Sequence, residues 1–99
     1  MIYIGSDTLF KWDLMKDIYG NYVNDASVQG TLYDGDTALH VFDFDYVVAS
    51  DGQYIGVVPA SVTENLEQCK DYTVEITATR GDEKEVRVDT HTAEYRGHI

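Results

Sequence analysis

The chain has 99 residues, 43% of them hydrophobic, which is the size of one small domain spanning 1–99 and leaves no room for a second. Seven Lys and Arg against 18 Asp and Glu give a net charge of −11, which argues against nucleic acid or an anionic membrane as partner. No apolar run approaches the roughly 20 residues of a spanning helix, and the acidic N-terminal stretch lacks the basic and apolar regions of a signal peptide, so a soluble, unexported protein is expected. In chain order, residues 2–4 form a short apolar strand and residues 8–12 alternate apolar and polar. Residues 27–32 alternate with Val28, Gly30 and Leu32 on one side. Residues 40–46 put Phe42, Phe44 and Tyr46 on one face and Asp43 and Asp45 on the other. Residues 53–58 are β-branched and aromatic and stop at Pro59, which cannot donate to a ladder. Residues 72–79 give the clearest period-2 pattern, with Val74 and Ile76 inward and Thr73 and Glu75 outward, and residues 85–88 and 91–95 extend the series.

Gly20, Gly35, Gly52 and Gly81 fall between these runs beside Asn or Asp, where hairpin turns need positive φ. Residues 60–70 are the one candidate helix, with Ser61 or Thr63 as cap and a stripe of Val62, Leu66 and Cys69 so narrow that a loop is the alternative. Six or seven evenly spaced strands without long crossovers predict an all-β fold, an antiparallel immunoglobulin-like sandwich of about seven strands.

Residues with catalytic or ligating chemistry are scattered. His40, His91 and His98 have no metal-ligand spacing, and Cys69 has neither a disulfide partner nor a neighbouring base. Asp43 and Asp45 share a strand face about 7 Å apart, a separation available to paired carboxylates, but they read as a solvated face. Asp34-Gly35-Asp36 begins like a calcium loop but lacks a Glu at the twelfth position, so a hairpin turn is expected. The glycines are dispersed singly, without a phosphate-binding loop. These observations predict a non-enzymatic protein without cofactor or metal. Eight tyrosines are the more telling feature, since Tyr combines a large contact area with a polar tip and is enriched at protein interfaces. Tyr46, Tyr54 and Tyr72 fall at inward strand positions, whereas Tyr3, Tyr19, Tyr22, Tyr33 and Tyr95 lie nearer turns or ends and are the candidate interface residues.

Five segments together carry a family resemblance: Ile4-Gly5-Ser6-Asp7-Thr8-Leu9; residues 20–28 from Gly20-Asn21-Tyr22 to Ala26-Ser27-Val28; residues 49–59 with Ser50-Asp51-Gly52 and closing on Val58-Pro59; Tyr72-Thr73-Val74-Glu75-Ile76-Thr77-Ala78; and Tyr95-Arg96-Gly97-His98. The chain resembles a family of small tailed-bacteriophage proteins of immunoglobulin-like sandwich character, often encoded among virion structural genes. The cysteine pair of antibody domains is missing, so the likeness is one of architecture. It implies a virion building block made in the host cytoplasm: a head-associated decoration, cement or connector protein, or a tail or baseplate module. Its implied partners are other virion structural proteins, with a homo-oligomer as an open alternative, met through sheet edges at 2–4 and 91–95 and tyrosine-bearing turns. The competing reading is an acidic phage inhibitor or nucleic-acid mimic that binds a host protein, for which the charge of −11 is the support.

Overall fold

Alternation governs the fold. In a computed structural model, which describes residues 1–95, the strands are β1 (Ile2–Ile4), β2 (Thr8–Trp12), β3 (Ser27–Asp34), β4 (Thr37–Tyr46), β5 (Tyr54–Val58), β6 (Asp71–Arg80) and β7 (Glu83–Tyr95), with one turn of helix, α1 (Ala60–Thr63), before β6. The protein is all-β. One hydrogen-bonded order, β1-β7-β6-β3-β4-β5-β2, runs through all seven strands, where an immunoglobulin-like sandwich would divide them between two sheets. Five of the pairings are antiparallel as expected; β1 against β7 is parallel, with Ile2 opposite Ala93 and Ile4 opposite Tyr95. The two ends of the order meet because only three residues join β1 to β2, and the Tyr3 N–H donates to Thr8 Oγ1 at 3.2 Å. The expected edges are thereby revised. β1 is terminal in the order, as expected, but within 91–95 the last three residues are covered by β1 and His91 and Thr92 pair with β6, the two meeting at Ala93, whose N–H donates to Lys70 O at 2.9 Å.

The inward faces of β3, β4 and β6 form the centre of the core. Across the sheet, Phe44 faces Val28 and Val28 faces Ala78, while Phe42 faces Gly30 and Gly30 faces Ile76. Glycine stands opposite the rings for a steric reason: a Cβ on Gly30 would lie 2.6 Å from Phe42, and one on Gly56 would lie 2.8 Å from Phe44. Phe42 then packs against Phe44 at 5.3 Å and Phe10 at 5.8 Å between ring centroids. Val74 and Ile76 are buried as the period-2 pattern predicts; Thr73 and Glu75 are half-buried on the opposite face. Tyr54 and Tyr72 are buried, and Tyr46 packs against the same core.

The hairpins β3–β4 and β6–β7 turn through the two-residue links Gly35-Asp36 and Gly81-Asp82, with φ of +58° and +59° at the glycines, the signature of a turn whose first central residue must be left-handed. The Asp34-Gly35-Asp36 segment is thus a hairpin, and Asp34 binds Lys70 Nζ at 2.8 Å. The helix is shorter than its predicted span and is not capped by Ser61 or Thr63. Asp7 Oδ1, far away in sequence, accepts the Ala60 N–H at 2.7 Å, while Thr63 is buried and donates to Ser6 O at 2.8 Å. Cys69, expected in the apolar stripe, is exposed with φ of +66°.

Candidate functional site

Residues 13–26 link β2 to β3 and form a projecting structure of their own at the end of the sheet where β6 finishes. Their base is fixed by long-range bonds: the Met15 N–H donates to Gly52 O at 3.0 Å, the Val23 N–H to Met15 O at 2.8 Å, and the Gly52 N–H to Asn24 Oδ1 at 2.8 Å. Gly52 has φ of +67°, and any Cβ there would stand 2.5 Å from the Met15 nitrogen, so only glycine admits this contact. The buried Tyr54 hydroxyl donates to Val23 O at 2.8 Å and accepts the Ala26 N–H at 3.1 Å, which explains why a tyrosine sits deep in the core.

The tip is fastened by Asp17. Its Oδ1 accepts the Tyr19 N–H at 2.9 Å and the Asn21 N–H at 3.0 Å, and its Oδ2 faces Arg80 Nη2 at 3.5 Å. The Asn21 N–H, followed by that of Tyr19 and by Arg80, holds the Asp17 carboxyl below the usual aspartate value, against the opposing effect of burial. Arg80 also faces Asp25 at 3.5 Å and Glu83 at 3.3 Å, so one guanidinium ties the projection to the β6–β7 hairpin. Beyond this anchor Ile18 is 83% exposed and Tyr19 80%, with Leu14 and Tyr22 also exposed and Lys16 Nζ 5.1 Å from the Tyr22 ring centroid. A cleft of about 290 Å³ lies between the projection and the hairpin, floored by Met15, Val23, Ala26 and Ala78 and rimmed by charges of both signs.

The five candidate interface tyrosines do not form one surface. Tyr19 and Tyr22 share the projection. Tyr33 lies six residues along β3 from its start, about 20 Å away at strand rise, half-buried next to the β3–β4 hairpin. Tyr3, half-buried on β1, and Tyr95, 62% exposed on β7, occupy the parallel pair; Tyr95 lies in register with Ile4 and Tyr3 with Glu94, so the two tyrosines point to opposite faces. Sequence reasoning did not single out Ile18 and Leu14, whose exposure depends on how the segment is fastened, nor the outer flank of β7.

The remaining candidates are packing or surface groups. His40 stacks on Phe42, and His91 meets the Phe10 ring edge-on at 5.1 Å while its Nδ1 lies 3.0 Å from the Met1 amino group. His98 lies outside the described residues. Asp43 and Asp45 are exposed, and Asp43 accepts from Gln29 Nε2 at 3.3 Å. Among the described residues no group of three or more His, Cys, Asp or Glu is placed to hold a metal ion, and no helix is long and apolar enough to cross a membrane. Compared with known protein families, curated proteins and solved structures, the chain matches none of them.

Proposed function

We propose that the chain is a non-enzymatic structural component of a bacteriophage virion, a head-associated or tail module that works by binding other structural proteins. The observation that carries the contact part of this reading is the projection at 13–26, where Ile18, Tyr19 and Tyr22 stand in solvent on a backbone fixed by Asp17, Arg80, Gly52 and Tyr54. Apolar and aromatic side chains on a pre-ordered support bind a protein surface with little ordering entropy to lose. The virion assignment rests on the resemblance of the five sequence segments to small tailed-phage proteins. The charge of −11 fits this role by keeping the free subunit soluble and away from packaged DNA.

Mass spectrometry of purified phage particles tests the proposal. The expected result is this chain at a fixed ratio to the capsid protein, with loss of incorporation for an Ile18→Asp/Tyr19→Ser double variant. Particles devoid of the chain, together with salt-sensitive binding of the isolated protein to a host nucleic-acid-binding protein, would replace this reading with the acidic mimic.

A further inference from the structure

The first eight residues of β7, 83–90, are all exposed and, among the described residues, are paired on one side only, to β6; β1 begins to cover the other side at Ala93. We propose that this open edge pairs with the same edge of a second copy of the chain, antiparallel and centred on Val86, to form a two-fold dimer. The claim does not depend on the virion reading, and particles lacking the chain would leave it untouched.

Three features of the strand lead to it. The first is backbone phase. In an antiparallel ladder successive residues turn their N–H and C=O groups alternately toward and away from the neighbour. A two-residue turn makes the flanking pair, Arg80 and Glu83, a bonded one, and ten residues on the Ala93 N–H and C=O still bond on the β6 side, to Lys70 and Cys69. Odd-numbered residues therefore face β6, and Lys84, Val86, Val88 and Thr90 turn their backbone groups to the open edge.

The second is charge. Residues 80–90 set Arg80, Lys84 and Arg87 against Asp82, Glu83, Glu85 and Asp89, so the stretch mixes both signs, and Arg80 is already held by Asp17, Asp25 and Glu83. Lys84 and Arg87 therefore offset repulsion from a second acidic copy only in a register that opposes unlike charges.

The third is register. A two-fold axis through the sheet pairs residues of the same face. Centred on Val86, it sets Val86 against Val86, Lys84 against Val88, and Glu85 against Arg87 twice. The valines, 47% and 59% exposed at 86 and 88, join on the outer face, while Arg87, whose guanidinium lies 4.8 Å over the Trp12 ring, meets the partner's carboxylate on the inner one. Only the flanking Glu83 and Asp89 oppose like charges. Centring on Glu85 or Arg87 opposes like charges at the axis itself. Centring on Val88 drives the partner's Glu83 and Lys84 into the stretch of edge taken by Ile2 and Met1.

The test is sedimentation analysis at about 0.15 M salt, where net repulsion between copies is screened. The wild-type chain should approach twice its 11.2 kDa with rising concentration. Glu85→Arg and Arg87→Glu should each sediment as monomers, and an equimolar mixture should recover the dimer, since the two changes restore opposite charges across both contacts. Val86→Pro removes one outward N–H at a position where β6 receives none, so it should also give a folded monomer by circular dichroism. A wild type that stays monomeric to millimolar concentration, or a Glu85→Arg variant that dimerises like wild type, would overturn the proposal.

Discussion

β6 and β7 are two arms of one hairpin, yet they are opposite kinds of strand. β6 buries Tyr72, Val74, Ile76 and Ala78 on one face and is paired on both edges; β7 opposes those residues with His91, Asp89, Arg87 and Glu85 and is exposed along its first eight residues. The difference lies in what each packs against. The inward residues of β6 continue the buried face formed by Val28 and Leu32 of β3 and Phe42 and Phe44 of β4, whereas the inward side of β7 faces the flank of β2 that has no strand partner among the described residues, where Trp12 and Phe10 are met by Arg87 and His91. Long polar side chains there close the seam between the end strands with their stems and rings rather than with a backbone ladder. A strand of high β-propensity can thus serve as a core wall or as an open flank, depending on its neighbours.

The sharpest way to break the comparison is to cut into β6. Ile76→Ala deletes buried methyl groups among Gly30, Phe42 and Arg87 neighbours and should cost about 2–5 kcal/mol in chemical denaturation. Val88→Ala, on the neighbouring strand opposite Glu75, should stay within about 0.5 kcal/mol. Similar losses from the two would mean that β7 is packed as tightly as β6.

A smaller effect sharpens the account of the seam. Arg87→Ala should cost about 0.5–1 kcal/mol, since it removes a partly exposed cation from an aromatic face. Trp12 is the sole tryptophan and is 3% exposed, so its fluorescence should shift to the red when the guanidinium that covers it is lost. Unchanged emission would show that other groups shield the ring.

Much of this arrangement was legible in the sequence. β2 begins and ends where its alternation does, and β6 extends the predicted strand by one residue at each end, because hydrophobic alternation is a local record of which side faces the core. β7 was legible only in fragments. A period-2 pattern states that two faces exist without stating which looks inward, and in Glu85-Val86-Arg87-Val88 the pairing with β6 turns the charges in and the valines out. The parallel closure by β1, the capping of α1 by Asp7 and the support of residues 13–26 by Gly52 and Tyr54 join residues tens of positions apart. No local pattern encodes those distances. For the same reason the tyrosine count says nothing of how the fold separates Tyr19 and Tyr22 from Tyr3, Tyr33 and Tyr95.

The smallest expected effect is a pH dependence at the point where β7 passes from open to covered. His91 is half-buried against Phe10, and burial holds its pKa below the ordinary 6.5, reinforced by the Met1 ammonium and opposed by Asp89. The charged groups around it are therefore of both signs, and burial decides the direction. With a depressed folded pKa, the unfolded chain takes up the proton first as the pH falls through 6.5. The stabilisation from a neutral His91 is complete above that value, is lost as the pH drops through the folded pKa, and changes no further below it. Thermal melting of wild type and His91→Gln across this range isolates the contribution from the carboxylates, which titrate lower. The wild type should lose melting temperature relative to the variant as the pH falls from 7.5 toward about 5. A constant difference would mean that the ring is as well solvated in the folded protein as in the unfolded chain, and the covered half of β7 would then extend no further than Ala93.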